Sequence, residues 1–358
     1  MERNIYQRKD KRWEGRIYRE TQDGKRKYQA FFGKTREEVQ QKMADFRSGF
    51  VVCAEKTVLF AEVMSEWFQS VQYRIKESTA ANYRMKADKH ILPAFGEKNI
   101  ADISQNMIYE FIKNKQDSRL SNRYISDILI LIKSVFKYAI RCYHIVNPMD
   151  GIAMPRKTKP DIHLLDETEQ KKLQQYIAEN QNLTTVGIAL TTATGLRIGE
   201  LCALQWKDID LEKRILTVRK TLQRIQVKDG ICKTKIIITD PKSESSVRNI
   251  PIPDFMIEIL QKFQGRTESF LLSGTEKPVE PRTIQYRFAG ILKNVNLPSV
   301  HFHALRHMFA SKCIKLGFDV KALSEILGHS SVEITLNRYV HSSFEQKIEY
   351  MNRLKPAA

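Results

Sequence analysis

His303-Ala-Leu-Arg306-His307, then Leu327-Gly-His329, then Leu336-Asn-Arg-Tyr339: this stretch decides how the chain is read. It offers a phenol able to attack, imidazoles at His303 and His329, and a guanidinium at Arg306, a set suited to displacement at a phosphodiester without a metal. His303 and Arg306 stand three apart at the start of a predicted helix, so they share a face near its N-terminus, where backbone donors and the dipole gather anions. The planar fork of arginine matches two phosphate oxygens at once, which lysine cannot do. The His303/His307 spacing is superficially that of a zinc helix, but Ala304 stands where the glutamate is required, so no metal is expected. His301 and His307 read as core or solvated histidines. Tyr339 ends a short predicted helix over 331–339, and its spacing from Val332 and Leu336 alone describes a core tyrosine.

Two upstream motifs complete the set. Thr194-Gly-Leu-Arg197-Ile-Gly-Glu200-Leu puts Arg197 near another helix start, after a glycine that allows tight approach. Arg197 and Glu200 read as a buried ion pair or as a phosphate contact that Glu200 orients, and the two readings are compatible. Lys242 lies in a polar turn, Asp240-Pro-Lys-Ser-Glu-Ser-Ser-Val-Arg-Asn-Ile-Pro, between strand-like runs. A lysine there is ordinarily solvated. It gains interest because an oxyanion leaving group needs a proton, which a nearby ammonium can supply.

Composition frames these motifs. At 358 residues the chain exceeds one average domain, and two or three are expected. Hydrophobic content of 42% with 28% charged residues describes a soluble globular protein. No apolar run approaches a membrane span, and Met1–Asp10 lacks the apolar core of a secretory signal. The five cysteines, Cys53, Cys142, Cys202, Cys232 and Cys313, are scattered and read as reduced thiols without disulfide or zinc. A net charge of +18, spread along the chain, favours a long polyanion, nucleic acid first among them.

Three segments separate. The first, residues 1–55, is basic: over residues 1–50 it holds 14 Lys+Arg against 8 Asp+Glu. Its strand-like runs from Trp13 and from Lys27 flank the turn signal Asp23-Gly24, and Thr35-Arg-Glu-Glu38 opens a helix to about Arg47. A three-stranded sheet backed by one helix is expected, with Arg16, Tyr18 and Lys27 as candidates for DNA contact. The second, residues 56–154, reads as an all-α bundle of four helices. Leu59, Phe60, Val63 and Trp67 mark the first; the second starts at Ser78 and ends before Leu92-Pro93; the third covers 103–115; the fourth runs from Ser121 to Tyr143. Arg84 and Lys86, with Lys76 and Lys89, are candidate phosphate contacts on or near the second. Residues 155–162 form a basic linker in which Pro155 and Pro160 bracket Arg156, Lys157 and Lys159, Lys157 being the contact candidate. The third, residues 163–358, is mixed and mainly α, with a cap at Asp166, a long helical pair through Trp206, strand-like runs at 214–223, 231–239 and 247–252, and helices thereafter. No dinucleotide or Walker phosphate loop occurs, so no cofactor is expected.

Together, Thr194-Gly-Leu-Arg-Ile-Gly-Glu-Leu, Lys242-Ser-Glu-Ser-Ser-Val-Arg-Asn-Ile-Pro, His303-Ala-Leu-Arg-His-Met-Phe-Ala-Ser, Leu327-Gly-His-Ser-Ser and Tyr339-Val-His resemble the motif set of the tyrosine recombinases, most nearly the integrases of phages and conjugative transposons. Met308 departs from the threonine common there and touches no catalytic role. The resemblance implies an arm-type DNA-binding domain, a core-binding domain and a catalytic domain for the three segments. It implies Tyr339 as nucleophile, Arg197, Arg306 and His329 as phosphate ligands, His303 as positioner and proton acceptor, Lys242 as general acid and Glu200 as support. It further implies duplex DNA at the element ends and target, a homo-tetramer on that DNA, an excision or direction-control protein as partner, and a place in the bacterial cytoplasm and nucleoid. A tail helix with Phe344, Ile348 and Met351 on one stripe is expected to pack on its own domain or, as the resemblance implies, to dock on a neighbouring protomer. Two other readings share much of the motif evidence. A type IB topoisomerase would relax supercoils without exchanging strands between sites, and a non-catalytic DNA-binding regulator would form no covalent adduct.

Overall fold

In the computed structural model the described residues are 5–8, 10, 12–19, 27–51, 57–156, 163–227, 233–240, 246–339, 348, 351 and 352; the side chains of 18, 19, 27, 45–51 and 337–339 lie outside the description. The chain divides into two units, Met1–Lys159 and Pro160–Ala358. At the N-terminus, β1 (Ile5–Gln7), β2 (Trp13–Arg19) and β3 (Lys27–Gly33) pair antiparallel in that order. They are followed by α1 (Arg36–Val51), four residues longer than the expected end at Arg47. Thr35 Oγ1 accepts the Glu38 N–H at 3.2 Å, and the Glu38 carboxylate accepts the Lys34 N–H at 2.8 Å, so the helix starts where its capping residues stand. Val39 and Met43 of α1 rest on the sheet where it has no side chain: a Cβ at Gly15 would lie 2.2 Å from Met43 Sδ.

The bundle comprises α2 (Phe60–Val71), α3 (Glu77–Lys86), α4 (Leu92–Phe95), α5 (Gln105–Asp117) and α6 (Asn122–Tyr143). On α6 the expected stripe of Ile125, Ile128, Leu129, Ile132, Val135 and Phe136 is wholly buried, every member at 0% exposure. One boundary differs. The second helix does not stop before Leu92; a π-helical turn at Ala87–Ile91 carries it into α4, with the Leu92 N–H reaching back to Ala87 O. Pro93 follows directly within α4, where it has no N–H to reach back into that turn. Lys86 also departs from expectation. It points inward at 6% exposure, its Nζ 3.6 Å from Asp127 and 5.6 Å from the Tyr124 ring, so it stabilises the bundle and is removed from the phosphate-contact set.

The C-terminal unit begins at α7 (Glu167–Glu179), whose capping box is reciprocal: Asp166 accepts the Glu169 N–H and Glu169 accepts the Asp166 N–H, both at 2.8 Å. Then follow α8 (Leu183–Thr194), α9 (Ile198–Ala203), β4 (Ile209–Asp210), β5 (Ile215–Val218), β6 (Thr221–Gln226), β7 (Thr234–Thr239) and β8 (Arg248–Pro251). The run expected at 214–223 is two strands: β5 sits between β4 and β8, while β6 leaves to pair with β7. The break at Arg219-Lys220 lets Leu216 and Val218 enter the core before the chain changes partners. The long helical pair likewise breaks at Gly195, so Trp206 lies beyond a separate short helix.

The helices α10 (Asp254–Lys262), α11 (Pro281–Asn294), α12 (His303–Lys315), α13 (Val320–Leu327) and α14 (Val332–Tyr339) complete the unit. Residues 304–308 of α12 are consecutively buried, which marks it as a helix enclosed on all sides at its N-terminal half. Among the described cysteines, Cys142, Cys202 and Cys313 are free, and burial pushes the Cys202 thiol up to about 12 and that of Cys313 up to about 11. No helix among the described residues is long and apolar enough to cross a membrane. The architecture is thus the expected one: a small sheet with one helix, an all-α bundle and a mixed, mainly α unit. Ile132→Ala should lower the stability of the bundle by about 2–5 kcal/mol, and Ile132→Val by only about 1. Urea unfolding followed by fluorescence checks this, and equal effects would contradict close packing at Ile132.

Candidate active site

Gly195 ends α8 in the left-handed conformation (φ +69), its N–H on Thr191 O at 2.9 Å. A Cβ there would fall 2.5 Å from the Phe309 ring, so both backbone and space demand glycine. Two residues on, Arg197 is the N-cap of α9, and Glu200 reaches back to its backbone N–H at 2.9 Å. The same carboxylate takes Arg197 Nη1 at 2.8 Å. The ordinary capping device therefore also orients the guanidinium.

The end of α13 is the other anchor. Gly328 (φ +64) donates its N–H to Glu325 O at 3.0 Å, and His329 donates to Ser324 O at 3.1 Å, the two bonds of a Schellman turn. The carbonyls of Ile326, Leu327 and Gly328 are left over. A different arginine takes each: Arg248 Nε at 2.6 Å, Arg306 Nη2 at 2.7 Å and Arg197 Nη2 at 2.9 Å. Arg306, only 1% exposed, also donates to Gly195 O at 2.7 Å, tying the end of α8 to the end of α13. Positive charge at a helix C-terminus is favourable on its own account.

His329 follows directly. Its Nδ1 lies 2.8 Å from the hydroxyl of Thr335, a residue of α14 that is completely buried. His303 is exposed at the first position of α12, three residues before Arg306, and its ring stands perpendicular to that of buried His307 at 4.8 Å between centroids. Arg197 and Arg306 are thus brought to adjacent carbonyls at the end of α13, next to His329, with Glu200 bound to Arg197 and His303 on the same helix as Arg306. Tyr339 is the last residue of α14, and its side chain lies outside the described residues. Lys242 lies in 241–245, outside them altogether.

Of the DNA-contact candidates, Arg16 is partly exposed and donates to Glu14 at 2.7 Å while lying 4.4 Å over the Tyr28 ring. Arg84 is exposed and 4.6 Å over the Phe68 ring. The side chains of Tyr18 and Lys27, and the whole of Lys157, are outside the described residues.

Sequence reasoning missed Arg248 and Thr335. Arg248 gives Glu200 a two-point contact at 3.1 and 2.9 Å and is 8% exposed. The signal was present: in Arg248-Asn-Ile250-Pro-Ile252 alternate residues face inward, and an inward arginine needs a carboxylate. Burial pushes the Glu200 carboxyl up, but hydrogen bonds and charge from Arg248 and Arg197 push it down and prevail, leaving it below its ordinary 4.5.

Residues 163–346 match the phage integrase family, and residues 59–116 match the N-terminal SAM-like domain of phage integrases. A XerC-like tyrosine recombinase of Caldanaerobacter subterraneus is 29% identical, with 93% of each chain covered. The ICEBs1 integrase of Bacillus subtilis is 25% identical over 84% of this chain and 83% of its own. The transposase of transposon Tn916 from Enterococcus faecalis is 25% identical over 89% and 82%. Among solved structures, the Tn1549 transposon integrase in complex with circular intermediate DNA superposes with a TM-score of 0.65 at 25% identity, covering 82% of this chain and 99% of that one. A lambda integrase tetramer bound to a Holliday junction shares the fold, with a TM-score of 0.60 at 20% identity over 96% and 98%. The chain belongs to the phage integrase family, the tyrosine recombinases that cleave and rejoin DNA at specific sites.

Because the folded Glu200 carboxyl titrates below its unfolded value, its contribution to stability is complete above about pH 4.5 and is lost as pH falls through the folded value. The melting temperature of the parent should therefore exceed that of Glu200→Gln most at neutral pH, and the gap should close below about 4.5. A gap independent of pH across that window would assign the pairing no charge component.

Proposed function

We propose that this chain is the integrase of a mobile element, inserting and removing it through a 3′-phosphotyrosyl intermediate formed by Tyr339. In the proposed step the Tyr339 oxygen attacks the scissile phosphorus, the phosphotyrosyl bond forms, and the bond to the 5′-oxygen breaks. Lys242 gives the leaving oxygen its proton, and His303 takes the proton of the phenol. A free phenol titrates near 10, so such a base matters at neutral pH. Arg197 and Arg306 hold the non-bridging oxygens. We assign His329 the tautomer in which Nδ1 accepts from the Thr335 hydroxyl, so that Nε2 carries the ring proton and donates to the phosphate as charge builds. The bond energy stays in the covalent intermediate, so rejoining to another strand requires no nucleotide hydrolysis.

The observation that carries this reading is the junction of Gly195, Leu327 and Gly328 carbonyls. It clamps Arg306 and Arg197 beside His329 before any substrate arrives. Donors so fixed stabilise a developing oxyanion without reorganising, worth about 10²–10³ in rate for each such donor. The duplex of the element ends and its target would be bound by all three segments, with Arg16 and Arg84 among the contacts and a tetramer working on two duplexes. The solved complexes of relatives on circular-intermediate DNA and on a Holliday junction support that arrangement. The tail after Tyr339, with Ile348 at 48% and Met351 at 65% exposure, would cover that apolar pair on a neighbouring protomer; Phe344 lies outside the described residues. An excision protein would set direction.

A nicked suicide duplex carrying the element's own end should trap a covalent protein–DNA adduct, and Tyr339→Phe should abolish it. An adduct with Tyr339→Phe would overturn the nucleophile assignment. Lys242→Ala should slow cleavage, and a 5′-thio leaving group, which scarcely needs protonation, should restore it; failure of that rescue would remove the general-acid role.

A further inference from the structure

Arg248 is assigned no phosphate oxygen in the proposed step. Its side chain is 5% exposed, against 34% for Arg197. Its contacts reach three parts of the chain that lie beside other site residues. Nη1 and Nη2 bind the two oxygens of Glu200 at 3.1 and 2.9 Å, Nε binds Ile326 O at 2.6 Å, and Nη1 also binds Ser246 O at 3.1 Å. Glu200 belongs to the helix that Arg197 caps, Ile326 lies three residues before His329, and Ser246 lies four residues after Lys242. One guanidinium therefore ties together α9, the end of α13 and the start of β8. The fit leaves no slack: a Cβ at Gly328 would lie 3.0 Å from Arg248 Cδ and Nη1.

Charge leads to the same residue. A buried glutamate against Arg197 alone would make a neutral pair, and a neutral pair attracts phosphate poorly. Arg248 supplies the second cation to the same carboxylate, so the trio of Glu200, Arg197 and Arg248 carries a net +1. The four acceptor positions of the carboxylate are then filled: Oε1 by Arg197 Nη1 and Arg248 Nη1, Oε2 by the Arg197 N–H and Arg248 Nη2.

We propose that Arg248 is a positioning residue for strand cleavage: it holds the Glu200 carboxylate and the Ile326 carbonyl so that Arg197 meets the scissile phosphate with its fork immobilised and its charge uncancelled. This rests on the recombinase reading above. The role needs the geometry of arginine. An ammonium could keep the charge but not reach both oxygens of Glu200 and the Ile326 carbonyl at once.

The test uses the full chain and the nicked suicide duplex with the element's own end, measuring duplex affinity and the maximal single-turnover rate of adduct formation separately. Arg248→Met, checked for folding by circular dichroism, should lower the maximal rate by about 100-fold while affinity changes by no more than about threefold, as for a misplaced catalytic group. Arg248→Lys should remain slow despite its charge. The double variant Glu200→Gln/Arg248→Met should be no slower than its slower single variant, since both act through one contact. A folded Arg248→Met that cleaves within about threefold of the parent rate would overturn the proposal, as would losses that multiply in the double variant. Should Arg248→Met fail to fold, Arg248→Lys decides: parental cleavage overturns the positioning role, and slow cleavage at parental affinity upholds it. Absence of adduct with the parent chain itself would overturn the recombinase reading instead.

Discussion

Three main-chain carbonyls at the end of α13 cannot be satisfied by the helix they terminate, and the site is arranged around that deficit. A buried carbonyl without a partner costs about 1–3 kcal/mol, so Ile326, Leu327 and Gly328 together represent a penalty that folding must avoid. Arg248, Arg306 and Arg197 remove it, one carbonyl each. The bonds that complete the fold therefore also hold in place the cations to which the proposed chemistry is assigned. A phosphate arriving there meets guanidiniums whose rotamers are already set, so little ordering entropy remains to be lost on binding.

Local devices with ordinary structural purposes are reused in the same way. The capping box that starts α9 places Glu200 under Arg197, and the glycine that stops α8 presents its carbonyl to Arg306. Gly195 and Gly328 both adopt positive φ, and each turns its chain abruptly where an arginine must pass. The buried Thr335 hydroxyl on α14 then fixes the ring of His329. Because α14 carries both Thr335 and Tyr339, the placement of His329 and of the proposed nucleophile are mechanically joined.

Much of this was legible in the residues. The α6 stripe was read correctly position by position, since six apolar side chains at helical spacing on one face have a single low-energy way to be buried. The capping residues Thr35 and Asp166 marked helix starts because a side-chain oxygen beside orphan donors acts within a few residues. The errors fall where the outcome depends on distant chain. Lys86 looked like any exposed lysine, yet α3 turns it toward Asp127 on another helix. The run at 214–223 had one continuous β-like composition, but β5 and β6 take different partners, and composition does not encode partners.

By itself the sequence determined most of the elements, the order of the motifs and the chemical types at the candidate site, because these depend on periodicity, capping and side-chain identity over short spans. That was enough to suggest phosphodiester chemistry and a tyrosine recombinase. Only the tertiary structure decided how the guanidiniums are held. Arg197 and Gly328 are 131 residues apart, Arg306 and Gly195 are 111 apart, and Arg248 and Ile326 are 78 apart. Contacts of that range form when unsatisfied carbonyls and a buried carboxylate must find donors inside a closed core. For that reason Arg248, which its motif marks only as an inward arginine, emerges beside the site only once the chain is folded.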